Sequence, residues 1–148
     1  METIIVGVDG SAGSRAALEW AFAEAAQRKS RVVAVSVWQF PYLALGPSPI
    51  GGAIVPTEDL QASSEASLAE ILAEVGVPDG IDVLPVSREG SASQTLLGLA
   101  ESEAASLLVI GARGHGGFTG LLLGSVATQC VNHATVPTVV VPTPAAAK

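Results

Sequence analysis

Aromatic residues make up only 4% of this 148-residue chain, so its core has to be built from Val, Leu, Ile and Ala. Positive charge is also scarce: 7 Lys and Arg stand against 14 Asp and Glu, for a net charge of −7. That balance argues against nonspecific nucleic-acid binding, which requires a basic face. There is one cysteine, Cys130, so no intrachain disulfide can form and nothing points to an oxidising compartment. No apolar run approaches the ~18 residues that a membrane-spanning helix needs. The N-terminus has no basic segment and reaches Asp9 too soon for a secretory leader. The expectation is a cytoplasmic protein with neither nucleic acid nor membrane among its partners.

The commonest nucleotide and hydrolase motifs are missing too. No Gly-x-x-x-x-Gly-Lys-Ser/Thr occurs, so there is no P-loop, and no Gly-x-Gly-x-x-Gly follows a strand. Gly-x-Ser-x-Gly is absent, which leaves a serine hydrolase without its nucleophile elbow. Cys130 and His133 lie three apart and would share a helix face. Two ligands do not make a metal site, however, and Cys130 reads as buried apolar filler.

What is present is a hydrophobic content of 49%, enough for one domain with a real core. Residues 3–8 are apolar and β-branched and predict a first strand. Residues 9–14 predict a turn, with Ser14 as N-cap of a helix whose Leu18, Ala21, Phe22 and Ala25 recur at i, i+3, i+4 and i+7. Residues 31–38, rich in Val and Ala, predict a strand covered on both faces. A long Pro- and Gly-rich loop follows over 39–56. Residues 57–75 predict a second helix, with Leu68, Ile71, Leu72 and Val75 on one face and Gly76 as its stop. A third strand is expected over 81–86, and Ser91-x-x-Gln94 resembles a capping box for a third helix ending near Glu103. Residues 107–110 predict a fourth strand, 125–133 a fourth helix and 138–141 a fifth strand. The domain is expected over 1–142, with a flexible tail over 143–148.

Strands alternating with helices predict an α/β fold with an open parallel sheet and helices on both faces. Such a sheet binds ligands at the carboxyl ends of its strands, where the strand order reverses. With the first strand central, that point lies between the ends of strands one and four. There stand the two segments richest in glycine, Gly7-Val8-Asp9-Gly10-Ser11 and Gly111-Ala112-Arg113-Gly114. The second opens a longer pattern: Gly111-x-x-Gly114, nine residues, then Gly124-Ser125 at the start of a helix. Glycines let backbone amides approach an anion, and a helix N-terminus adds unpaired N–H groups and a positive dipole end. No Asp or Glu follows Glu103, so an anion meets no local carboxylate repulsion there.

These residues resemble the universal stress protein family. The likeness rests on the opening Ile4-Ile5-Val6-Gly7-Val8-Asp9-Gly10-Ser11, on Gly111-x-x-Gly114-x9-Gly124-Ser125, and on the ending Val136-Pro137-Thr138-Val139-Val140-Val141. It covers essentially the whole chain, as one domain, and points to the family's ATP-binding branch. It implies a five-stranded parallel sheet of order 3-2-1-4-5 that binds ATP, or ADP or AMP, with Mg accompanying the nucleotide near Asp9. Carried over by position, Gly7 and Asp9 lie beside adenosine and the backbone near Val37 lines the adenine pocket. Gly111, Ala112, Arg113, Gly114, His115, Gly116, Gly117, Gly124, Ser125 and Val126 hold ribose and phosphates. The resemblance also implies a homodimer through Thr138, Val139, Val140 and Val141, an edge that pairing would cover.

Each of these positions has a plainer reading. Asp9 can cap a turn, Gly7 can mark a bulge, Arg113 can be a solvated surface cation, and Ser125 can be an ordinary N-cap. The expected function is a nucleotide-dependent stress or signalling regulator with no assigned catalytic residue and at most slow ATP hydrolysis. A non-nucleotide dimer acting through protein contacts, and a slow ATPase or nucleotidyl transferase, are the alternatives.

Overall fold

Ile4, Ile5 and Val6 are wholly buried, because the strand that carries them runs through the middle of the sheet with helices on both sides. A computed structural model describes residues 1–39, 56–114 and 122–144. Its elements are β1 (Thr3–Gly7), α1 (Ala12–Arg28), β2 (Arg31–Trp38), α2 (Thr57–Val75), β3 (Val83–Glu89), α3 (Ala92–Ser102), β4 (Leu107–Gly111), α4 (Ser125–His133) and β5 (Thr138–Val141). The strands form one sheet in the order β3-β2-β1-β4-β5, all pairings parallel, as the alternation of elements predicts.

Strand alternation divides the core in two. Ile4 and Val6 turn to one face and pack with Leu18, Ala21 and Phe22 of α1 and Leu68 of α2. Ile5 turns to the other and packs with Leu96 and Ala100 of α3 and Ala127 and Cys130 of α4. Each buried Leu or Ile contributes about 1.5–3 kcal/mol relative to exposure. The four described helices thus connect parallel strands by crossovers, and each begins at the carboxyl end of the sheet.

Three local expectations are corrected. Ser11, not Ser14, caps α1: Ser11 is extended (φ −68°, ψ 161°), and its hydroxyl accepts from the Ser14 N–H at 3.2 Å. Ser14 instead sits in the first turn and donates its hydroxyl to the Ser11 carbonyl at 3.1 Å. β3 starts and ends later than the apolar pattern predicts, because its second half, Ser87-Arg88-Glu89, is an edge strand pairing with Ser36, Val37 and Trp38. An edge needs no apolar side chains to be a strand. Finally, Ser91 is the N-cap of α3 without a side-chain capping bond; its hydroxyl lies 3.4 Å from that of Ser93. α2 matches its expected bounds, and Gly76 closes it at φ +84° with its N–H bonded to Leu72.

Candidate functional site

The turn after β1 is built around one carboxylate. Asp9 Oδ1 accepts two bonds from Ser11, one from its N–H at 2.9 Å and one from its hydroxyl at 2.5 Å. The Asp9 N–H donates to Ser14 Oγ at 3.2 Å, which ties the same residue to the first turn of α1. Asp9 itself is exposed. Oδ2 is turned across the crevice, so close to Gly114 that a Cβ there would lie 2.6 Å from it. The two glycine-rich segments predicted to face each other therefore do so, and the expectation of no carboxylate near the second is corrected, because Asp9 reaches it from across the chain.

Glycine at the end of β4 has a second cause. A Cβ on Gly111 would lie 2.7 Å from the carbonyl carbon and 2.8 Å from the carbonyl oxygen of Gly13. The backbone of α1 fills that space, and no ligand is needed to account for the glycine. Gly7 is similar: it pairs regularly with Val35, with no bulge, and Leu96 Cδ1 would be 3.0 Å from an added Cβ. Gly114, in contrast, is exposed and opens onto Asp9.

Ala112 joins strand, loop and helix. Its N–H donates to Val141 at 2.8 Å and its carbonyl accepts from Gly124 at 2.6 Å. The loop between these residues thus leaves and returns at one point. Gly124, rather than Ser125, is the N-cap of α4, with φ −75° and ψ 176°, and no side chain among the described residues caps this helix. No acidic residue lies in its first turn, where Ser125 is exposed and Val126 half-buried. The first N–H groups of an uncapped helix carry partial positive charge and need an acceptor. Arg113 is half-buried beside them. His115, Gly116 and Gly117 lie outside the described residues, as does the loop over 40–55.

Val37 completes the crevice from the other side. The Val35 carbonyl accepts from the Val8 N–H at 2.8 Å, so at Val35 the peptide groups of β2 point toward β1. By strand alternation those of Val37, two residues on, point the same way. Pairing with β1 has ended there, the last partners being Gly7 and Val35. A backbone donor and acceptor thus face the crevice at Val37.

Cys130 is fully buried on the α4 face of the core, and burial pushes its thiol from 9.0 up to about 11. It is not an exposed thiolate. Among the described residues no group of three or more His, Cys, Asp or Glu is placed to hold a metal ion. No described helix is long and apolar enough to cross a membrane.

Sequence reasoning gave no separate role to Ser11, Gly13 or Leu96. Ser11 carried a readable signal, as a serine two residues after an aspartate at a helix start. Gly13 and Leu96 act across long chain separations and left none.

The Universal stress protein family model matches residues 1–142. A universal stress protein of Mycolicibacterium smegmatis is 38% identical over 140 residues, covering 93% of this chain and 45% of the relative. Universal stress protein Rv2005c of Mycobacterium tuberculosis is 36% identical over 138 residues, covering 93% and 44%. The chain therefore spans less than half the length of these curated relatives. Among solved structures, universal stress protein UspA from Lactobacillus plantarum matches with TM-score 0.78 at 20% identity, covering 95% of this chain and 97% of that one. A universal stress protein in complex with cAMP matches with TM-score 0.73 at 23% identity, covering 97% and 98%. One from Archaeoglobus fulgidus in complex with dAMP matches with TM-score 0.62 at 20% identity, covering 95% and 98%. At these identities the structural likeness is one of fold.

Proposed function

The chain belongs to the universal stress protein family, and from that premise we propose that it binds an adenine nucleotide, ATP first among them, and works as a nucleotide-dependent regulator. One observation carries the reading: among the described residues α4 begins with no side-chain cap and no acidic residue in its first turn, across from the Asp9 turn. A phosphate supplies the missing acceptor. Asp9 is an acceptor only, and it repels phosphate while accepting from ribose hydroxyls or the adenine amine. The two ends of the crevice thus orient a nucleotide, with adenosine at Gly7, Asp9 and Val37 and phosphates at Gly111–Gly117, Gly124, Ser125 and Val126. Fold relatives in complex with cAMP and dAMP are consistent with an adenine ligand. Mg would arrive on the nucleotide, with Asp9 its nearest carboxylate.

Hydrolysis is at most slow in this reading. No carboxylate follows Glu103 to act as a base near the phosphates, and no P-loop lysine clamps them. The protein acts in the cytoplasm, and its bound nucleotide sets the surface that partners read. It pairs with a second copy through β5, all four of whose residues are half-buried and apolar or neutral. The opposite edge, β3, carries Pro85, Arg88 and Glu89, which blunt it against pairing. Sedimentation as a monomer at all concentrations would refute the dimer.

Calorimetry with ATP, ADP and AMP, with and without Mg, is the test. Binding of at least one is expected, and Gly114→Glu should abolish it by placing bulk and charge against Asp9. No binding at millimolar nucleotide refutes the reading, as does unchanged affinity in Gly114→Glu. Turnover above about one per minute, against an enzyme norm of roughly 1–10³ s⁻¹, would instead favour an ATPase or transferase.

A second reading, a dimer acting only through protein contacts, draws on the packing at Gly111, which explains that glycine without a ligand. Nucleotide released from the denatured, purified protein would disfavour it.

A further inference from the structure

We propose that Gln61 of α2 is a positioning residue for the nucleobase: by taking the indole N–H of Trp38 and giving its own amide to the Ser87 carbonyl, it fixes the projecting end of β2 and with it the Val37 peptide groups that face the crevice. The inference rests on the nucleotide reading above, which puts adenosine against Val37, and adds to it a residue that touches no ligand.

β2 outruns its inner neighbour. Pairing with β1 ends at Gly7 and Val35, whereas Ser36, Val37 and Trp38 pair with Ser87, Arg88 and Glu89 of the edge strand β3. Among the described residues the last three of β2 are thus held by the sheet on one side only, and the open side faces the crevice. Support comes from α2. Its Leu68, Ile71, Leu72 and Val75 pack into the core, but its first half meets the strand ends through polar side chains. Gln61 Oε1 accepts from Trp38 Nε1 at 2.6 Å, and Gln61 Nε2 donates to the Ser87 carbonyl at 3.0 Å and to Glu65 Oε1 at 2.8 Å. One turn on, Ser64 Oγ accepts from the Ser87 hydroxyl at 2.6 Å and lies 3.3 Å from that of Ser36.

The Gln61 amide fits in one sense only, since an indole can only donate and a carbonyl can only accept. Apolar contact is non-directional, whereas these bonds set both distance and direction. The peptide that joins Val37 to Trp38 carries the Val37 carbonyl, so the bond that holds the indole also holds that acceptor. An acceptor ordered in advance lowers the entropy cost of binding.

Gln61→Met keeps the length of the side chain and removes all three bonds, while Trp38→Phe removes the indole donor alone. Adenine offers an amine donor where guanine has a carbonyl acceptor, so ATP draws on the Val37 carbonyl and GTP does not. By calorimetry, each variant is expected to weaken ATP by roughly tenfold, the scale of one hydrogen bond, and to leave GTP at its native affinity. The double variant should lose no more than Gln61→Met alone, because the two residues act as one unit. Native ATP affinity in either single variant overturns the proposal. An equal loss of ATP and GTP overturns it too, as the mark of a general loosening of the fold, and so do additive losses in the double variant. If Gln61→Met does not fold, the ATP-to-GTP ratio in Trp38→Phe decides in the same way. Should the unsubstituted chain bind no nucleotide, the function proposed above fails and takes this role with it; ATP binding that neither variant weakens defeats this role alone.

Discussion

Gly13 and Gly111 meet backbone to backbone: a Cβ on Gly111 would lie 2.7 Å from the Gly13 carbonyl carbon, and one on Gly13 would lie 2.5 Å from the Arg113 carbonyl oxygen. Neither obstacle is a side chain that can swing away. The start of α1 is thus set against the end of β4, and both walls of the crevice are held at a distance fixed by main-chain contact.

Gly111→Ala should accordingly be a stability variant. Forcing a methyl into that contact is expected to cost about 3 kcal/mol, at the upper end of overpacking penalties. Urea unfolding measures it, and a midpoint like that of the unsubstituted chain would contradict the close approach.

Gly114→Ala should behave in the opposite way. Among the described residues its Cβ meets only the far end of the Asp9 side chain, at an exposed position, so stability should stay within about 0.5 kcal/mol. Asp9 must rotate to clear the methyl, and ATP affinity should fall by roughly tenfold. Comparing unfolding and calorimetry for Gly111→Ala and Gly114→Ala separates a glycine the fold requires from one the site requires.

Gly98 is a glycine with no such reason. It lies exposed within α3 with nothing within 4 Å of an added Cβ. Gly98→Ala is expected to stabilise the protein by about 0.5–1 kcal/mol through helix propensity. Thermal unfolding should show a raised midpoint, with nucleotide affinity unchanged.

Cys130 gives a pH signature. Its thiol is pushed from 9.0 to about 11 by burial, so the folded state holds its proton where the unfolded state has released it. Stability from this group is present below pH 9 and is lost as pH rises from about 9 to 11. Cys130→Ala should remove that part of the alkaline decline in urea unfolding. In the native protein the thiol carries roughly a hundredfold less thiolate than an ordinary cysteine below pH 9, and iodoacetamide should label it only on unfolding.

Most of the architecture was legible because its signals are local. The bounds of β2 and α2, and the Leu68-Ile71-Leu72-Val75 face, follow from hydrophobic period and from Gly76. β3 was displaced because an edge strand can be polar, and Arg88 and Glu89 carry no strand signal. The placement of Asp9 against Gly114 was foreseeable from strand order alone. The reasons for Gly7 and Gly111 were not, since Leu96 and Gly13 lie about ninety or more residues away along the chain. Ser11 was hidden by Ser14, a second serine equally able to cap the helix on paper. Only the extended backbone at Ser11 decides between them.

The paired bonds at Ala112 carry a consequence for loop length. Because the strand end and the helix start are clasped to one another there, the intervening segment is anchored independently of its own contents. Lengthening such a closed segment costs only about 0.6 kcal/mol for each doubling of its length. A change in the length of that segment should therefore leave the sheet and α4 in register.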